Sequence, residues 1–168
     1  MFRHRRYFVL AALIIRHWLS LEVLLVFPAL VFALRADAAE DYEAQRTCLA
    51  RTLYWEAKNE GREGMIAVGW VVLNRQHHEE FPSSPCEVVY EGGETPPCQF
   101  SWWCDGKSDR PREAGNWAQA LEVADLLLRE PPPDPTDGAL FFHSAGIDVP
   151  WRLERSRTAQ IGNHIYYR

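Results

Sequence analysis

Hydrophobic and polar residues alternate in two rhythms along this chain, and each predicts a different kind of element. From Ala44 to Asn59 the run AQRTCLARTLYWEAKN is made of good helix formers and stops before Gly61, a residue suited to a helix C-cap. Leu49, Leu53, Glu56 and Glu60 recur at i, i+4, i+7 and i+11, so a helix reaching Glu60 carries two carboxylates on its leucine stripe. The next run, REGMIAVGWVVLNRQ over Arg62–Gln76, is apolar almost all round. Its valine and isoleucine also suit a strand, but its length argues for a helix at the centre of a core. Asn74 and Arg75 close that helix, where a cap and a surface ion pair are the plain expectation.

Ser84-Pro85-Cys86-Glu87 combines a capping-box Ser and Glu with Pro at the first helical position, which predicts a short helix starting there. Glu91–Arg110 is rich in Gly, Pro and aromatics and reads as an ordered loop of the kind that lines sites. Pro111 opens a further helix with Ala114, Trp117, Ala118, Leu121, Ala124 and Leu128 on one face, and Pro131, Pro132 and Pro133 end it. The rhythm then changes to period two. ALFFHS, residues 139–144, and QIGNHIYYR, residues 160–168, predict two short strands that pair as a C-terminal β-hairpin. The fold class is therefore mainly helical α+β with a single core.

The N-terminus departs from this pattern. Arg3, Arg5 and Arg6 precede apolar stretches, and Ala36-Asp37-Ala38 supplies an A-x-A site, with cleavage expected after Ala38 or Ala39. Arg16, His17 and Glu22 keep each apolar run below the roughly 20 residues of a spanning helix. Residues 1–39 are read as a signal peptide or N-terminal membrane anchor, and residues 40–168 as the functional domain, exported to the periplasm or cell envelope. A buried N-terminal helix is the bland alternative. Without residues 1–39 the chain keeps 13 Lys/Arg against 21 Asp/Glu, a net charge of -8 with no basic stripe, which excludes a nucleic-acid binder relying on phosphate neutralisation. With 47% hydrophobic and 24% charged residues in 168, neither a disordered polymer nor a polytopic membrane protein fits, and one domain does; a monomer is expected.

Cys48, Cys86, Cys98 and Cys104 all follow the cleavage site, and an even count in an exported chain points to disulfides. Three pairings are open, of which Cys98 with Cys104 as a local clamp and Cys48 with Cys86 is favoured. Successive spacings of 38, 12 and 6 lack the paired C-x-x-C of a zinc site, so no metal and no cofactor are expected.

Glu56 carries the most pointed chemistry. A carboxyl on an apolar helix stripe is desolvated, and the negative end of the helix dipole adds to that, so its pKa rises and it can hold a proton at working pH. Such a group is a general acid able to protonate the leaving oxygen of a glycosidic bond. Spacing alone also allows Glu56 and Glu60 to be solvated residues at a fraying helix end.

The blocks LYWEAKNEGREGMIAVGWVVLNR, FPSSPCEVVY, CQFSWWCDG and FFHSAGIDVPW with IGNHIYYR, in that order over residues 47–168, resemble the cell-wall hydrolases typified by the spore-cortex-lytic enzymes of sporulating bacteria. The resemblance implies a lysozyme-like, mainly helical fold. It implies cleavage of peptidoglycan glycan strands between N-acetylmuramic acid and N-acetylglucosamine, by a lytic transglycosylase whose one catalytic acid is Glu56. Where the family commonly reads Ala-Arg-Gly-Glu after that acid, this chain has Ala57-Lys58-Asn59-Glu60. Gln99, Phe100 and Ser101 fall in the family's sugar-binding loop, with Trp102 and Trp103 as stacking candidates or as a cover for the disulfide. Glu60 either positions substrate or water or accepts a structural hydrogen bond. His143, with His164 meeting it across the sheet, either hydrogen-bonds an acetamido or hydroxyl group or is a satisfied core histidine. The alternatives are an N-acetylmuramoyl-L-alanine amidase, which usually needs zinc, and a non-catalytic peptidoglycan-binding module.

Overall fold

The computed structural model describes residue 35, residues 37–94 and residues 97–168. Glu43–Arg168 form one compact unit; Met1–Tyr42 form another, whose described residues, 35 and 37–42, are helical. The export segment expected at residues 1–39 therefore lies outside the described residues, apart from 35 and 37–39. No helix among the described residues is long and apolar enough to cross a membrane.

The compact unit starts with residues 43–57 of helix α1, residues 37–57, which ends earlier than the spacing suggested. The Glu60 N–H returns to the Ala57 carbonyl at 3.0 Å, and Gly61 takes φ 69°, so the chain turns before Glu60 can continue the stripe. Glu60 is instead the N-cap residue of α2, Gly61–Gln76. That helix is central: it packs against α4 (Ala114–Arg129), α3 (Pro85–Tyr90) and the sheet. Its all-round apolar character follows from having neighbours on every side. A Cβ at Gly69 would overlap the Leu127 side chain of α4, so the glycine makes room for that leucine.

Ser84 caps α3 as expected, with its hydroxyl donating to Glu87 Oε2 at 2.8 Å and accepting from the Glu87 N–H at 3.4 Å. The fourth helix starts at Ala114 rather than Pro111. The Arg112 and Glu113 amides donate to the buried Tyr54 hydroxyl, at 3.0 and 3.2 Å, and so tie the loop to α1. Disulfides join Cys48 to Cys86, linking α1 to α3, and Cys98 to Cys104 around a 3₁₀ turn at Ser101–Trp103. This is the favoured pairing.

The C-terminal sheet has three antiparallel strands, β1 (Phe141–Ser144), β2 (Arg157–Ile161) and β3 (His164–Tyr167), in the order β1-β3-β2. The expected terminal strand over residues 160–168 is thus a hairpin, turning at Gly162, φ 55°, and Asn163. A two-residue turn inverts which residues face inward, so Ile161 and Ile165, equivalent in an unbroken strand, lie on opposite faces; their even spacing in the sequence does not mark that turn. Tyr166, Phe142, Ala159 and Ile161 pack with Ala67 and Val71 of α2. Because alternate residues face opposite ways, Phe141, His143, Ile165 and Tyr167 form the outer face. His143 and His164 therefore lie on opposite faces, so the meeting of the two histidines across the sheet does not occur.

Candidate active site

Glu56 stands in the last turn of α1, half-buried, one turn beyond the fully buried Leu53. Loss of hydration raises its carboxyl from the ordinary range to about 7, against the pull of the positive charge on Arg75. The group is consequently poised between acid and carboxylate near neutral pH.

Arg75, from the last turn of α2, is only 4% exposed, which corrects the surface ion pair expected of it. Its Nε donates to the Leu140 carbonyl at 2.7 Å, while the guanidinium lies 5.2, 5.4 and 5.7 Å from the ring centres of Phe81, Phe100 and Phe141. Burial lowers its pKa to about 10, with the charges of Glu91 and Glu56 acting against that, so it stays cationic at neutral pH. One terminal nitrogen, Nη1, is buried without a protein partner. Asn74 also has a different task from capping α2: its Nδ2 donates to Asp134 Oδ2 at 3.0 Å and to the Ala139 carbonyl at 3.1 Å, holding the turn that leads into β1. Sequence reasoning missed Arg75 as a site residue. The available signal was a cation at the end of a helix with no polar face.

Glu60 accepts the Asn163 N–H at 2.7 Å through Oε2, so one of its oxygens is committed to the hairpin turn. A Cβ at Gly162 would overlap that oxygen, and a Cβ at Gly64 would overlap the Glu60 side chain, so both glycines make room for it. Phe100 is buried against Arg75, whereas Gln99 and Ser101 beside it are exposed. Trp102 is 6% exposed and contacts Tyr90 and Trp103 edge-on, at 6.3 and 6.2 Å between ring centres. It lines a cavity of about 180 Å³ together with Trp55, Asp109 and Arg112. That geometry offers a ligand a wall of Trp102 more than an open ring face.

His143 is 9% exposed and has both ring nitrogens engaged. The Ser144 carbonyl, 2.8 Å away, can only accept, so Nδ1 donates to it, and Nε2 hydrogen-bonds the Tyr167 hydroxyl at 3.0 Å. His164 is buried on the inner face, and burial lowers its pKa, with Glu60 raising it and His143 adding to the lowering. Among the described residues no group of three His, Cys, Asp or Glu is placed to hold a metal ion. The site thus unites Glu56, Arg75 and Phe100, with Gln99 and Ser101 on the adjoining surface; Glu60 and His143 serve separate parts of the fold.

Comparison with known proteins places the chain in a family. The chain is 32% identical over 120 residues to the spore cortex-lytic enzyme of Bacillus subtilis, a match covering 70% of this chain and 35% of that protein. It is 31% identical over 124 residues to the enzyme of the same name from Oceanobacillus iheyensis, covering 70% and 39%. The chain thus spans little more than a third of the length of these curated relatives. Among solved structures it superposes on the catalytic domain of a germination-specific lytic transglycosylase, SleB, from Bacillus anthracis, with a TM-score of 0.57 and 25% identity over 74% of this chain and 93% of that one. The SleB catalytic domain of Bacillus cereus gives a TM-score of 0.58 at 24% identity, over 75% and 91%. The family model for cell wall hydrolases matches residues 59–167, beginning three residues after Glu56 and taking in Arg75, the aromatic loop and the sheet. The chain belongs to the cell wall hydrolase family.

Proposed function

We propose that this protein is an exported lytic transglycosylase that cleaves peptidoglycan glycan strands between N-acetylmuramic acid and N-acetylglucosamine, with Glu56 as its catalytic residue. The carrying observation is a carboxyl at the end of α1 that burial brings to about 7, within a chain of this family. Protonated Glu56 donates to the glycosidic oxygen as the C–O bond breaks, and N-acetylglucosamine leaves with that proton. The resulting carboxylate takes the proton of the muramoyl 6-hydroxyl, whose oxygen bonds to the anomeric carbon and closes a 1,6-anhydro ring. No water is consumed and the acid is regenerated. This scheme needs one carboxyl, unlike the two-carboxylate arrangement of ordinary glycosidases. Arg75 keeps the acid's pKa within working range and favours the carboxylate formed halfway through the reaction.

In this reading residues 1–39 direct export as a signal peptide or retained anchor, residues 40–168 act in the periplasm or cell envelope as a monomer, and no cofactor is used. Exposed Gln99 and Ser101, with Trp102 behind them, contact the glycan.

The test is mass spectrometry of soluble products from purified peptidoglycan treated with wild type, Glu56→Gln and a chelator-treated sample. Anhydro-muropeptides from wild type, reduced at least a hundredfold by Glu56→Gln and insensitive to chelator, support the reading. Free stem peptides abolished by chelator would establish an amidase instead, and no soluble fragment at all, with binding retained, a non-catalytic module.

A further inference from the structure

The outer face of the sheet carries a second cavity, of about 520 Å³, within the size range of small-ligand sites. Its floor is His143, Ile165 and Tyr167, the outward residues of β1 and β3. Its walls come from the chain that folds back between β1 and β2. The Ala145 N–H bonds the Asn163 carbonyl at 2.8 Å, and a 3₁₀ turn at Pro150–Glu154 sets Trp151 edge-on to His143 and Tyr167.

Arg152, Arg155 and Arg157 line this cavity, with Asp148 as the one lining carboxylate among the described residues. Residues 40–168 carry 21 acidic against 13 basic side chains, yet three of those 13 converge here. Bringing like charges together is unfavourable unless an anion joins them. Each guanidinium has five N–H donors and makes one hydrogen bond among the described residues. Arg152 Nε donates to Asp148 at 2.6 Å, Arg155 Nη1 to the Trp151 carbonyl at 3.4 Å, and Arg157 Nη2 to Gln160 at 2.5 Å. Most of the donors are left for a ligand, and their planar forks match carboxylates. Both nitrogens of His143 are occupied, so it serves as floor.

One ring connects this cavity to the catalytic acid. Arg155 lies 3.9 Å from the centre of Phe141, and Arg75, the cation acting on Glu56, lies 5.7 Å from the same centre. A glycan strand held at Glu56 carries on its muramoyl residues a peptide rich in carboxylates. We infer that the cavity lined by Arg152, Arg155 and Arg157 binds the carboxylates of that peptide stem, so that the enzyme reads its substrate as sugar and as anionic peptide together. This rests on the function proposed above and names a second part of the same substrate.

Calorimetric titration of the purified full chain with a synthetic stem tetrapeptide, its fully amidated counterpart and inorganic phosphate tests the inference. Expected are saturable binding of the carboxylate peptide, at least tenfold weaker binding of the amidated one, and at least tenfold loss in Arg152→Gln/Arg157→Gln, with the double Lys variant in between. Asp148→Asn should tighten binding, because it removes the competing carboxylate. Should the double variant unfold, the amidated peptide on wild type carries the test by itself. Equal binding of both peptides, no binding, or phosphate binding as tightly as the peptide would each overturn the assignment. Cleavage of stem-free glycan strands, followed in parallel, separates the two ideas. Cleavage without peptide binding sinks only the stem site; arginine-dependent peptide binding in a chain that releases no glycan fragment sinks only the proposed function.

Discussion

Glu56 keeps its proton because water has little access to the carboxylate form, and Arg75 is the charge that offsets part of that cost. The pH dependence follows from the sign of the shift. A carboxyl whose folded pKa lies above its unfolded value binds a proton more tightly when folded, so stability declines as pH rises from 4.5 through about 7. Glu56→Gln removes this decline: its melting temperature should gain on wild type progressively between pH 5 and pH 8, as thermal scans across that range will show. The rate of glycan cleavage should fall as pH rises through about 7, where the proton donor is lost. Arg75→Met takes away the charge that lowers the Glu56 pKa, so the basic limb of the pH–rate profile should move upward. It also strands the Leu140 carbonyl, at a cost of about 1–3 kcal/mol in denaturant unfolding.

At the scale of elements, the turn between α1 and α2 sends two neighbouring carboxylates to different tasks. Glu56 ends one helix, while Glu60 begins the next and reaches the β2–β3 turn, 103 residues further along the chain. A hydrogen bond from an amide to a carboxylate contributes about 1.5–3 kcal/mol. Glu60→Ala should therefore speed hydrogen exchange at the Asn163 amide by roughly ten- to a hundredfold, leaving amides in the middle of α2 unchanged. Unchanged exchange at Asn163 would mean that the hairpin holds its turn unaided. Gly69 acts at the same scale, and its substitution by Ala would displace the Leu127 side chain where α2 meets α4.

Across the whole molecule, two cross-links of different span hold the domain. Cys48–Cys86 closes 38 residues and Cys98–Cys104 closes 6. In the loop-entropy picture these contribute about 4 and about 2 kcal/mol respectively. Replacing the first pair by serine should lower the unfolding free energy about twice as much as replacing the second. Loss of the second pair should act mainly on glycan binding, since it releases the loop bearing Gln99, Ser101 and Trp102.

The helices, the capped start of α3, the proline stop after α4 and the favoured cysteine pairing were legible because each depends on residues near in sequence, through periodicity, local hydrogen bonding or loop closure. The placement of Glu56 one turn beyond a buried leucine was legible for the same reason. Periodicity did not reveal the turn at Gly162 and Asn163, because Ile161, Ile165 and Tyr167 stay evenly spaced in the sequence while the turn sends Ile161 to one face and the other two to the opposite one, and so the terminal hairpin read as one strand. Nor could it reveal which long-range partner claims a polar group. Tyr54 takes the amides of Arg112 and Glu113, Glu60 takes that of Asn163, and Arg75 is enclosed by phenylalanines from three other segments. By itself the sequence determined the helices and the position of a carboxyl at the end of α1; tertiary packing decided the burial and the facing charge that set its pKa, and the gathering of three arginines on the outer sheet, because these depend on segments that meet only in the folded chain.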